Sequence, residues 1–149
     1  MIRTLSAIAA LLLLAAPTVG RADDGELPVR HGPLQPETAD KVRTFVLTLA
    51  SNFGDFYPDT QFRNVHAVWF DSGAIIVCGE MNKPVEGARS GWRYFSNSGP
   101  LIFESDKLEP LCDQRTYQQP AYADDIDYAP DFTRTAGAST PFFRTPTGG

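Results

Sequence analysis

The hydrophobic spacing of this chain changes period once, and that change decides the class of fold. Ala39, Val42, Phe45, Val46, Leu49 and Phe53 recur at helical spacing with polar residues between them. Pro36 stands where a first helical residue loses nothing by lacking an N–H, and Gly54 suits the left-handed residue that ends a helix. Residues 36–53 therefore read as an amphipathic helix with one buried stripe, which is core and not a cofactor site. After Tyr57-Pro58-Asp59 the pattern becomes β-rich. Strands are expected over 61–70, 74–81, 92–95 and 101–104, with turns at Asp71-Ser72-Gly73 and Asn97-Ser98-Gly99. Pro84, Gly87 and Gly91 mark Asn82 to Gly91 as a long connecting loop. The expected fold is α+β: an N-terminal amphipathic helix packed on a four-stranded antiparallel meander, since one face of such a sheet must be covered.

Beyond the strands, Ser105 or Asp106 can cap a short C-terminal helix with Pro110 in its first turn and Leu108, Leu111 and Cys112 facing inward. From about Gln118 the chain is dense in Pro, Thr, Gly, Ala and Asp, with Tyr122, Tyr128, Phe132, Phe142 and Phe143 scattered without a period. Residues 119–149 read as a mostly disordered tail, and residues 35–118 as the single α+β domain. The acidic group Asp124, Asp125, Asp127 and Asp131 lacks the glycine and the closing glutamate of a calcium loop and reads as solvated charge.

The N-terminus constrains the compartment. Arg3 precedes a 12-residue apolar run from Leu5 to Ala16, Pro17 breaks it, and Gly20 and Ala22 stand at −3 and −1 of a cut before Asp23. This is a secretory signal peptide over residues 1–22, followed by an extended linker over 23–34. A membrane anchor is the competing reading, but the run is too short for a hydrocarbon core about 30 Å thick. Periplasmic or secreted localisation follows.

The chain carries two cysteines, Cys78 and Cys112. In an exported chain an even count favours a disulfide. A metal pair, a reactive thiol and two unpaired thiols are the competing readings. Only His31 and His66 are available to complete a metal site of the usual four ligands. A bridge closing 78 to 112 would contribute roughly 3–4 kcal/mol to a domain with a small core.

Charge excludes some partners. Loss of Arg3 and Arg21 with the signal peptide takes the 13 basic side chains to 11 against 18 acidic ones, a formal charge of −7. Phosphate backbones need clustered Lys and Arg, and this chain has no basic run, so nucleic acid is not expected as a partner. No cofactor is expected either: no Walker-type or dinucleotide glycine pattern is present. His66 on a strand of alternating residues reads as structural, with no triad around it.

The densest polar cluster is Glu80, Asn82, Lys83, Glu86, Arg89 and Arg93, around the connection between the second and third strands. Glu80 and Arg93 are expected to pair on adjacent strands and to fix the base of that loop. As a site, Glu80, Asn82, Lys83, Arg89 and Arg93 are the candidate binding residues, because loops on rigid sheets carry function.

These residues also carry a resemblance. Pro58-Asp59-Thr60, Phe62-Arg63-Asn64-Val65, Val77-Cys78-Gly79-Glu80-Met81-Asn82 and Gly91-Trp92-Arg93-Tyr94-Phe95 resemble an uncharacterised family of small exported bacterial proteins. Its members carry PDSxxFRNV-like, VCGEVN-like and GFRxF-like segments and a late cysteine. The resemblance covers about residues 36 to 112 and implies export, but no activity. The chain departs from the family at Lys83-Pro84-Val85-Glu86-Gly87, where an Asn- and Gly-rich run is usual.

Three functions remain in contention. The leading one is a binding or interaction module for a protein or small ligand. The second is a hydrolase-like enzyme using Glu80 as acid or base, tuned by Arg93. The third is a structural envelope protein recognised through its tail.

Overall fold

The structure is a computed structural model that describes residues 25–98 and 101–138. The signal-peptide reading of residues 1–22 and the part of the tail reading beyond 138 lie outside the described residues. Helix α1 spans Pro36–Phe56, with Val42, Val46, Leu49, Ala50 and Phe53 buried along one stripe. It runs past Gly54, which is buried within the last turn, and Tyr57 N–H closes the end on the Phe53 carbonyl.

Strands β1 (Leu27–Pro28) and β2 (Arg30–His31) precede α1, and β3 (Gln61–Phe70) and β4 (Ile75–Asn82) follow it as a hairpin turning at Gly73, φ 84°. Strands β5 (Pro84–Val85) and β6 (Ala88–Arg89) form a second, miniature hairpin. Its turn residues Glu86 and Gly87 both have positive φ, 49° and 82°, as a two-residue primed turn requires. The expected long loop is therefore a hairpin arm, and the Pro and Gly that suggested irregularity are its turn chemistry. Strands β7 (Arg93–Ser98) and β8 (Leu101–Ser105) complete the run.

The sheet is wider than the expected meander. Strand β10 (Ala121–Ala123) pairs antiparallel with β3 and parallel with β2, giving the six-stranded order β2-β10-β3-β4-β7-β8. Strand β9 (Thr116–Tyr117) pairs with β1. Helix α2 (Ala129–Ala138) packs beside α1, with Phe132 fully buried. The expectations of a linker over 23–34 and a disordered tail from 119 are thus corrected for residues 27–31 and 121–138. Very short strands and an Ala- and Thr-rich helix bury little area each, so they show almost no periodicity of their own. They fold because β3 and α1 already offer a surface.

The region after β8 also differs from expectation. Residues 106–115 form no α-helix, only a 3₁₀ turn over Cys112–Gln114, and Leu108 is 59% exposed instead of facing inward.

Two cores flank the sheet. On one side, Phe53, Phe62, Phe95 and Phe132 meet with ring centroids 4.7–5.9 Å apart, mostly edge to face, a favoured aromatic arrangement. On the other lie Val29, Val68, Phe70, Ala121 and Ala123 around the disulfide. Cys78 and Cys112 are bonded, with Cα atoms 5.7 Å apart, so β4 is tied to the 3₁₀ turn.

Strand β3 carries a bulge: Arg63 opposes Glu80 but His66 opposes Cys78, so an extra residue stands against β4. Asn64 takes φ 51° there. Opposite the bulge, a Cβ added to Gly79 would stand 3.0 Å from the Asn64 carbonyl, the Val65 side chain and the Phe95 ring. That close approach accounts for glycine between Cys78 and Glu80.

Candidate functional site

Period-2 alternation decides what the polar cluster becomes. Glu80 lies opposite Arg63 on one side and Tyr94 on the other, whereas Arg93 lies opposite Met81. Directly opposed residues share a face and neighbours along a strand do not. Glu80 therefore points to the disulfide face, and Arg93 to the helix face, where its guanidinium pairs with Asp106. The expected Glu80–Arg93 pair is corrected: a one-residue offset in register separates them.

Glu80 is 8% exposed. Its Oε2 accepts from Arg63 Nε at 2.5 Å and Asn64 Nδ2 at 2.9 Å, and its Oε1 accepts from Arg63 Nη2 at 3.3 Å. The Arg63 guanidinium also lies 4.1 Å from the centroid of the Trp92 ring, a cation–π stack. Three donors thus converge on one buried carboxylate, and hydrogen bonds of this kind to a carboxylate fix its position. It serves as an anchor for the bulge.

The other predicted residues gather at the root of the miniature hairpin. Asn82 Oδ1 accepts from Gly91 N–H at 3.1 Å, and the Asn82 carbonyl accepts from Arg89 Nη1 at 3.1 Å. The same Arg89 nitrogen donates to the Asp59 carbonyl at 2.6 Å. Lys83 Nζ donates to both Glu104 oxygens at 2.7 Å and lies 4.6 Å from the Tyr57 ring centroid. Asn82, Lys83 and Arg89 are thus brought together, and Glu80 and Arg93 are not part of their group. Each of the five is committed to a partner within the fold, so the cluster stiffens the hairpin root and leaves no free base beside a nucleophile.

A second polar group forms around the disulfide from residues far apart in sequence. His31 Nε2 bonds the Asp113 carbonyl at 3.0 Å, and His31 Nδ1 bonds Asp125 Oδ1. His66 Nδ1 stands 3.6 Å from Asp113 Oδ2. Asp113 is 8% exposed, and its Oδ1 has no hydrogen-bond partner in the structure. The Asp125 carboxylate raises the His31 pKa above its ordinary value, burial opposes this, and the Asp113 carbonyl adds to the rise. Among the described residues no group of three or more His, Cys, Asp and Glu is arranged to hold a metal ion. In sequence these residues stand singly, with His66 reading as structural and Asp125 as solvated charge, whereas the fold gathers both histidines of the chain beside Asp113 and Asp125.

The two sheet edges differ. At one, β2 is two residues long. At the other, β8 is the outermost strand over five residues, with Leu101 62% and Phe103 54% exposed. Phe103 opposes Ser96, which opposes Cys78, so both apolar side chains lie on the disulfide face. Among the described residues no helix is long and apolar enough to cross a membrane. No family model, curated protein or solved structure matches this chain.

Proposed function

We propose that this chain is an exported binding module that takes an extended segment of a partner protein along β8. The observation that carries the reading is the state of that edge. Sheet edges are ordinarily guarded by charge, proline or brevity. Here Leu101 and Phe103 stand outward at alternate positions, while the carboxylate of Glu104 is tied back by Lys83. A strand added to such an edge gains main-chain hydrogen bonds for affinity and seats alternate side chains for specificity. The partner segment this favours is extended and apolar at every second residue.

Export through a signal peptide ending at Ala22, periplasmic or secreted localisation, and membership of the exported family that the Phe62–Val65 and Val77–Asn82 segments resemble are part of the same proposal. The disulfide supports it, since such bridges persist in oxidising compartments. The hydrolase reading loses its support, because Glu80 and Arg93 lie on opposite faces.

A displayed library of random linear peptides, selected against the mature protein, tests the proposal. Enriched peptides should alternate apolar and polar residues and shift the amide resonances of residues 101–105. Phe103→Lys should weaken them about tenfold or more, as loss of a buried aromatic anchor does. Failure to enrich any peptide, enrichment of peptides that shift a different surface, or indifference to Phe103→Lys would overturn it. So would self-association through β8 in the absence of peptide.

A further inference from the structure

We propose that His31 is a proton-operated clasp that holds the lead-in segment, residues 25–32, against β9 and the β10 edge when doubly protonated and releases it when the ring loses a proton. The argument rests on what the two ring nitrogens face. Nδ1 meets the Asp125 carboxylate, in the connection from β10 to α2, and Nε2 meets the main-chain carbonyl of Asp113, in the 3₁₀ turn. A carboxylate and a carbonyl only accept hydrogen bonds, so both nitrogens must carry protons for both bonds to exist. A neutral imidazole has one N–H and must abandon one of the two.

The surrounding charges favour the imidazolium. Asp113 brings its carboxylate as well as its carbonyl, and Asp124 adjoins Asp125. His66, on β3, also faces the Asp113 carboxylate, 3.6 Å from its Oδ2. The arginines beside these groups in sequence are engaged with other partners: Arg30 lies against the Tyr122 ring, and Arg115 bonds Glu109 and the Pro110 carbonyl. The raised His31 pKa agrees with this geometry.

Little else holds the segment. Strand β2 pairs with β10 over two residues, extended by one bond from Gly32 N–H to the Ala123 carbonyl. Strand β1 pairs with β9 over two, supported by Glu26 on Thr116. Val29 is the one buried apolar side chain of the segment. The stabilisation from His31 is complete below its ordinary value of 6.5 and is lost as pH rises through the raised value. Release uncovers the free edge of β10.

Hydrogen exchange of the whole protein tests this at about pH 5.5 and 8.5, on either side of the histidine range, with rates corrected for intrinsic pH dependence. Residues 27–32 should lose about tenfold more protection at the higher pH than β3 and β4 do. His31→Gln should leave the segment weakly protected at both pH values, and Asp125→Asn should move the transition to lower pH. His66→Gln should leave the response in place. In an NMR titration the His31 ring should change charge above its ordinary value. Protection of residues 27–32 that ignores pH in the parent protein overturns the clasp, as does a response that survives His31→Gln. A His31 that titrates at or below 6.5 overturns it even if the variants fail to fold.

Discussion

Asp127 Oδ1 accepts hydrogen bonds from the N–H of Val65 and from the N–H of Ala129, each at 2.9 Å. Val65 sits in the β3 bulge, where its N–H turns away from the ladder, and its carbonyl in turn accepts from Tyr128 N–H at 2.7 Å. One carboxylate therefore satisfies the bulge and one of the unpaired N–H groups at the start of α2. The irregularity in β3 is where the C-terminal part of the chain docks.

Docking of α2 is therefore part of the fold. Phe132→Ala should destabilise the protein by about 3–5 kcal/mol, as large truncations in a packed core do. Asp127→Ala should cost about 1–2 kcal/mol, comparable to loss of a helix cap. Removal of residues 119–149 should abolish the cooperative unfolding transition. Denaturant titrations measure all three, and a truncated chain that melts like the parent would show that α2 contributes nothing.

Gly79→Ala places a methyl group against the Asn64 carbonyl, the Val65 side chain and the Phe95 ring, all 3.0 Å away. The carbonyl belongs to the bulge and cannot swing aside like a flexible side chain. Overpacking of about 1–3 kcal/mol is expected. Unchanged stability in urea would mean that the bulge relaxes freely.

Glu80 should couple to Arg63 and not to Arg93. In a double-mutant cycle, Glu80→Gln with Arg63→Met should show an interaction of about 0.5–3 kcal/mol, while Glu80→Gln with Arg93→Met should be additive within about 0.5 kcal/mol. Coupling of Glu80 to Arg93 would contradict the strand register.

The Cys78–Cys112 bridge should survive in protein folded under oxidising conditions. The intact mass should rise by two hydrogen atoms on reduction, as the bridge takes up two electrons and two protons to give two thiols. Cys78→Ala should destabilise by about 2–5 kcal/mol, the usual cost of removing a native bridge from a small domain. Two thiols that alkylate without reductant would refute the pairing.

Tyr117 should ionise late. Burial leads in pushing its phenol up to about 12, partly offset by Arg115, and its hydroxyl donates to the Cys112 carbonyl at 2.9 Å. The unfolded phenol titrates near about 10. The stability from keeping it neutral is thus complete below about pH 10 and lost as pH rises toward the folded value. Ultraviolet titration of Tyr117→Phe against the parent should remove one step near about 12. Removal of a step near 10 would show the ring to be solvated.

The resemblance to exported proteins and the apolar N-terminal run are sequence matters, and the proposals of compartment rest on them. The helix over 36–53 and the β-rich runs of 61–104 were also legible, because long elements with many large apolar residues announce their period locally. The two-residue strands β1, β2 and β9 and the three-residue strand β10 were not. Nothing in Arg30-His31 or Ala121-Tyr122-Ala123 prefers a strand until a neighbouring edge supplies hydrogen bonds. Helix α2 sits between these cases: Ala129, Phe132 and Ala136 do fall on one face, but two alanines and one phenylalanine are too weak a stripe to outweigh a Pro- and Thr-rich composition. The polar groups divide in the same way. Asn82, Lys83 and Arg89 lie within eight residues of one another, so proximity in sequence brought them together in space. Strand register alone separated Glu80 from Arg93 and gave it Arg63. His31, His66, Asp113 and Asp125 come from four separate elements or connections. Only the folding of β2 and β10 onto the sheet edge, with the disulfide pinning the 3₁₀ turn beside them, places those side chains within bonding distance.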